Sequence, residues 1–419
     1  MSIKGEGPLW ADASAPVGRP AVDDKRDGEA VPANYGRPQP GTRPKARKNR
    51  RRRRGPVYAP GTGPQAFPPV APVPSLSAPR TVAATRALYG ALDLGTNNCR
   101  LLIAAPRDQG FQVVDAFSRI VRLGEGIGKT GRLSEAAMAR AVEALRVCAR
   151  KLADRNVGRA RLIATEACRA ASNANEFVER VRAETGLVLE IVSQETEARL
   201  AVAGCAPLVD PDASGVILFD IGGGSSEIVW IDLAESGQGA RMADRIRTWM
   251  SLPLGVVNVS EQHGGRHIAP GQFDAMVAEV AERLAGFPEA VGLDDAVRSG
   301  RVHMLGTSGT VTTLAGIHLG LPRYDRRKVD GVWLSGTDVD ALIASLAAMD
   351  YDARVASPCI GQERADLVVA GCAILAAMRR RWPVDRLRVA DRGLREGVLV
   401  ELMGEDGAWQ PRNVGVGRA

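Results

Sequence analysis

Two short segments of this chain follow one pattern. Ala91-Leu-Asp93-Leu-Gly95-Thr96-Asn97-Asn98 and Leu218-Phe-Asp220-Ile-Gly222-Gly223-Gly224-Ser225 each leave an apolar strand through Asp, one apolar residue and Gly into small polar residues. The copies lie 127 residues apart, a distance that predicts two similar domains facing a shared cleft. Gly95 and Gly222 to Gly224 let backbone turn and approach a ligand closely. Their N–H groups, with Thr96, Asn97, Asn98, Ser225 and Ser226, can surround phosphate oxygens. An Asp at each strand end is placed to hold a divalent cation, Mg²⁺ or another, because hard cations prefer oxygen. A third turn, Gly306-Thr307-Ser308-Gly309-Thr310, follows the strand VHML and opens a helix, a ready anion or nucleotide site.

Around these turns strands alternate with helices, which predicts an α/β fold. RALYGALDLGTNNCRLLIAAP reads as strand, turn, strand, and FQVVDAFSRIVRLG as another strand. Ser134 caps a helix whose Met138, Ala141, Leu145, Cys148 and Leu152 repeat at helical spacing. RARLIATEACRAA reads as a strand running into a turn, ANEFVERVRAETG as a helix ended by Gly186, LVLEIVS as a strand and QETEARLAVAGC as a helix. The order then restarts at GVILFDIGGGSSEIVWID, with helices near 271–287 and 336–349, a helix in ADLVVAGCAILAAMRRRW, a short strand in LRVADRG and a last helix in LREGVLVELM.

Charge is divided unevenly. Residues 1–88 hold 16 Lys and Arg against 6 Asp and Glu, while the rest holds 39 against 42. Residues 1–85 also hold 15 of the 25 prolines and no sustained apolar period, so they are expected to form a disordered basic arm. Its run Lys45, Arg47, Lys48, Arg50, Arg51, Arg52, Arg53, Arg54 suits a polyanion such as RNA or a long phosphate chain, or serves only solubility. The six cysteines form no C-x-x-C pair, and the four histidines form no H-E-x-x-H, which argues against disulfide and zinc frameworks. No apolar run approaches membrane length, and the N-terminus lacks a secretory pattern, so a cytosolic protein without membrane partners is expected.

Seven segments in order resemble the exopolyphosphatase and guanosine-pentaphosphate phosphohydrolase family. They are ALDLGTNNCRLLI (91–103), IATEACRAASNANEF (163–177), SQETEARLAVAG (193–204), LFDIGGGSSEIV (218–229), SLPLGVVNVSE (251–261), LGTSGTVTTLAG (305–316) and ADRGLREGVLVE (390–401). The resemblance implies two actin-like (ribonuclease H-like) domains with an interdomain cleft. The first would span 86–205 with a returning helix at 394–405, the second 206–393, and 406–419 would be a tail. It also implies the short form of the family, without an added C-terminal helical domain.

The resemblance implies roles as well. Glu197 would be the base that primes water; from the residues alone it is one of several helix carboxylates, with Glu195 its rival. Arg169 would contact phosphate, and Arg100 and Glu227 would face the cleft. Asp220 and Glu227, with Asp93 opposite, would contact Mg²⁺. Asn98 stands where the family often has Ser, which changes the phosphate contacts slightly. The expected activity is release of terminal phosphate from polyphosphate, or conversion of guanosine pentaphosphate to tetraphosphate. The rival readings are a kinase or chaperone-type ATPase of the same fold, for which no acceptor site is visible, and a non-catalytic polyanion binder. A homodimer is compatible with the sequence.

Overall fold

The computed structural model describes residues 87–408 apart from 109, 235–240, 289 and 291. The basic arm and most of the 406–419 tail lie outside the described residues. Among the described residues eleven strands form two sheets. The first contains β1 (Tyr89–Leu94), β2 (Asn98–Arg107), β3 (Gly110–Ile120), β4 (Arg159–Ala164) and β5 (Glu190–Ile191) in the order β3-β2-β1-β4-β5. The second contains β6 (Gly215–Ile221), β7 (Ser226–Asp232), β8 (Ile246–Leu252), β9 (Val302–Thr307), β10 (Trp333–Ser335) and β11 (Arg386–Ala390) in the order β10-β11-β9-β6-β7-β8.

With β10 set aside, the two sheets share one strand order. In each, the central first strand pairs antiparallel with the second and parallel with the fourth. Register repeats too: Asp93 stands opposite Arg100, and Asp220 opposite Glu227. Gly95 N–H donates to the Asn98 carbonyl at 2.8 Å, and Gly222 N–H to the Ser225 carbonyl at 2.9 Å. The architecture is therefore one α/β unit built twice, the actin-like arrangement.

Helices cover the sheets through apolar stripes. In Glu135–Asp154 the Ser134 Oγ accepts from Ala137 N–H at 3.2 Å, and Met138, Ala141, Leu145 and Cys148 are buried against the first sheet. Ala174–Thr185 ends at Gly186, whose φ of 72° is one that side chains rarely adopt. Leaving β11, the chain returns to the first domain and forms Leu394–Glu405. That helix shares a core with Tyr89, Ala91, Leu102 and Leu200. It lies backbone to backbone on Gln194–Cys205: a Cβ at Gly397 would stand 2.0 Å from the Leu200 carbonyl oxygen.

Three expectations change in detail. LVLEIVS supplies only the two-residue β5, because it edges the sheet and Val188 and Ile191 remain exposed. TEACRA forms the short helix Glu166–Ala170 instead of a turn. Strands β8 and β10 were not foreseen; β8 has no strict polar alternation, since most of its residues are half-buried. No helix among the described residues is long and apolar enough to cross a membrane.

Candidate active site

The two glycine turns meet. A Cβ at Gly223 would lie 3.1 Å from Asn97 N, and one at Gly224 would lie 2.7 Å from Thr96 Oγ1. None of Gly95, Gly222, Gly223 and Gly224 has positive φ, so close approach, and not a left-handed bend, is what demands glycine at 223 and 224.

Each turn is held from behind. Asn97 O accepts from Val121 N and Arg122 N at 2.8 and 3.0 Å, and Thr96 O from Gly124 N at 2.9 Å. On the other side Gly222 O and Gly223 O accept from Val256 N and Val257 N at 3.0 and 2.8 Å. Asn258 Nδ2 reaches Gly224 O at 3.0 Å. Gly255 fits only as glycine, since a Cβ there would stand 2.4 Å from the Gly223 carbonyl. The SLPLG segment is thus the brace of the second turn.

One pocket gathers Asp93, Gly95, Thr96, Asn97, Asn98, Arg100, Glu197, Asp220, Gly222, Gly223, Gly224, Ser225, Glu227 and Ser308. Sequence reasoning singled out all of these. Thr307, Ser308 and Gly309 line the adjoining chamber. Ser308 has φ 78°, uncommon for a residue with a side chain, and it lines the pocket beside Asp220, whose charged form it favours.

Two residues take other positions. Gly306 lies inside β9, where a Cβ would stand 2.5 Å from the Phe219 ring, so its backbone packs closely on the neighbouring strand. Arg169 commits its guanidinium to protein acceptors. It donates to Glu197 Oε2 at 2.8 Å, Glu166 Oε2 at 2.9 Å and Val192 O at 2.9 Å. It therefore anchors Glu197 in this structure.

The electrostatics are those of crowded acids. Glu227 is buried and accepts from Ser225 Oγ at 2.7 Å and Ser251 Oγ at 2.9 Å. Burial, then the charge of Asp220, pushes its carboxyl up to about 7. Burial, then Asp93, pushes Asp220 up to about 6. Burial also raises Asp93. Glu197 is raised well above the carboxylate range, first by burial and then by Glu227, against the pull of Arg169.

Such a group of repelling oxygens fits a divalent cation. Asn97 Oδ1 adds a buried acceptor without a hydrogen-bond partner among the described residues. Among the described residues no three ligand side chains converge closely enough to cage an ion. The donor set therefore fits an ion shared between one or two carboxylates, water and substrate oxygens, as Mg²⁺ prefers.

Sequence reasoning missed Thr165 and Glu166 beside Glu197, and Tyr324, Arg326, Arg364 and Arg395 in the adjoining chambers. Arg395 sat within the GLREG segment, where only its resemblance was noted.

Paired sheets bringing two glycine turns and four acids to one cleft define a two-domain phosphate-handling hydrolase. The Ppx/GppA phosphatase family model matches residues 102–406, and the chain belongs to that family. Among solved structures, the Aquifex aeolicus family member is 28% identical with a TM-score of 0.62, covering 76% of this chain and 98% of that one. A Cytophaga hutchinsonii exopolyphosphatase is 25% identical with a TM-score of 0.66, covering 76% and 98%. An exopolyphosphatase-like protein is 28% identical with a TM-score of 0.67, covering 76% and 99%.

Proposed function

We propose that this phosphatase releases terminal phosphate from inorganic polyphosphate, with Glu197 as general base. The observation that carries the reading is the position of Glu197. It is half-buried, held by Arg169, and opens on the pocket shared by both glycine turns. The N–H groups and hydroxyls of Thr96, Asn98 and Ser225 would hold the terminal phosphoryl oxygens, and Arg100 would offset their charge. Glu197 accepts a proton from water as its oxygen attacks phosphorus. The bond to the bridging oxygen breaks, and the shortened chain leaves with the electron pair. Burial raises the basicity of Glu197, while the Arg169 hydrogen bond keeps the carboxylate aimed. Asp93, Asp220 and Glu227 would hold Mg²⁺, which when bound neutralises charge that builds on the phosphate oxygens.

A second reading, hydrolysis of guanosine pentaphosphate, is favoured by an apolar side chamber. Ile221, Val256, Leu367 and Val368, with Thr310 and Thr313, line it beside Asn97 and Asn98. It would suit a nucleoside attached to the phosphates. Phosphate release from both substrates, each with and without Mg²⁺, decides between them. Replacing Glu197 by Gln should lower turnover about 10²–10⁴-fold with substrate binding retained. Unchanged turnover would overturn the assignment of the base.

A further inference from the structure

Glu166 opens the short helix Glu166–Ala170 just after β4, and it lines the active-site pocket with Thr165 and Glu197. Its partner is Arg169, one helical turn on. A single carboxylate oxygen, Glu166 Oε2, accepts from Arg169 Nε at 3.1 Å and from Arg169 Nη2 at 2.9 Å. The other corner of the same guanidinium, Nη1, donates to Glu197 Oε2 at 2.8 Å and to Val192 O at 2.9 Å. These bonds use every guanidinium N–H of Arg169 except one on Nη2. A planar group gripped at both ends is held from turning, so Glu197 takes its place from Glu166 as well as from Arg169.

The grip is sheltered. The side chains of Glu166, Arg169 and Glu197 are 18%, 16% and 12% exposed, so water competes weakly for their bonds. The stem of Glu166 is also confined from across the cleft, since a Cβ at Gly224 would lie 3.2 Å from Glu166 Cγ. An acid of the first domain thus rests on the glycine turn of the second. Without Glu166, Arg169 would be held by Nη1 alone and could pivot about that corner. Its freed Nε and Nη2 would then be open to an anionic phosphate oxygen, which would draw the guanidinium away from Glu197.

We infer that Glu166 is a positioning residue, which locks Arg169 so that Glu197 stays aimed at the attacking water. It acts through Arg169 and not on the reacting atoms. The inference rests on reading Glu197 as the general base. Its consequence is a division of labour on one guanidinium: Glu166 restrains the charge that would otherwise serve substrate attraction, and alignment of the base is the gain.

The test measures phosphate release by the full chain with Mg²⁺, on tripolyphosphate or guanosine pentaphosphate, whichever the parent turns over. Glu166→Ala should lower kcat at least tenfold while KM stays level or falls. Glu166→Gln should recover most of that loss, because one amide oxygen can accept both bonds that Oε2 accepts now. In the Arg169→Met background, Glu166→Ala should cost nothing further. A raised KM with kcat kept overturns the inference. So does a Gln variant as slow as the Ala variant, or a full additional loss in the Arg169→Met background. Failure of the functional reading would show separately, as no phosphate release from any phosphoanhydride by the unsubstituted chain.

Discussion

Glu227 is 1% exposed and carries its acid between Ser225 and Ser251. Its carboxyl is raised from 4.5 to about 7 by burial and by Asp220. Between those values the native protein keeps a proton that the unfolded chain has lost, so stability falls as pH rises across the window. Glu227→Gln keeps an acceptor for both hydroxyls and has no charge to bury. Denaturant melts should find the variant more stable than the parent by on the order of 2–3 kcal/mol at pH 8, with the difference gone near pH 4. Turnover should fall, since Glu227 belongs to the set proposed to hold the cation. A second residue-scale outcome follows from Glu197. It must lose its proton to act as a base, and burial holds that proton to higher pH. The acid limb of kcat/KM should therefore lie above the ordinary carboxylate range. Arg169→Met should shift that limb further up, because the guanidinium is the group that favours the charged form.

Elements position these residues through close backbone contacts. In the helix Leu394–Glu405, Gly397 presses on the Leu200 carbonyl, whereas a Cβ at Gly404 would meet nothing within 4 Å. Gly397→Ala should destabilise the protein by about 1–3 kcal/mol or more through overpacking. Gly404→Ala, on an exposed turn of the same helix, should stabilise it by about 0.5–1 kcal/mol through propensity alone. Thermal melts of the two variants separate packing from propensity in one element. These contacts mark what the sequence could reveal. The doubled Asp-x-Gly pattern exposed the duplicated sheet and most of the pocket, because strand, turn and pairing register are local. The braces behind the turns repeat as well, as Leu123-Gly124 after β3 and Leu254-Gly255 after β8. That signal was available but short. The bonds of Arg169 to Glu197 and Val192 were not legible, because those acceptors lie more than twenty residues away. Arg395 was hidden because the residues that share its chamber, Asp93, Arg100 and Ser308 among them, lie far away in the sequence.

The whole molecule works by holding two domains against one cleft, and the rim shows how they are joined. The segment that braces the first turn, 121–126, also reaches the second domain. Arg122 Nη2 lies 3.3 Å from Asp366 Oδ2, and Gly126 N donates to Glu261 Oε1 at 3.0 Å. Arg122 has φ 47°, an unusual conformation for a residue with a side chain, so the rim contact is made from a constrained backbone. Its side chain is 37% exposed, and such a pair contributes about 0.2–1 kcal/mol to stability. Its larger effect falls on the cleft, because Asp366 is two residues from Arg364 and Arg122 N is bonded to Asn97 O. Arg122→Ala should lower the melting temperature by little and raise KM for a phosphoanhydride severalfold, with kcat nearly retained. Added salt should raise the parent's KM toward that of the variant, since screening weakens an exposed pair. Asp366→Ala should give the same shift, and the double variant should be no worse than either single one. If the two losses add instead, the residues act independently and the rim does not join the domains through this pair.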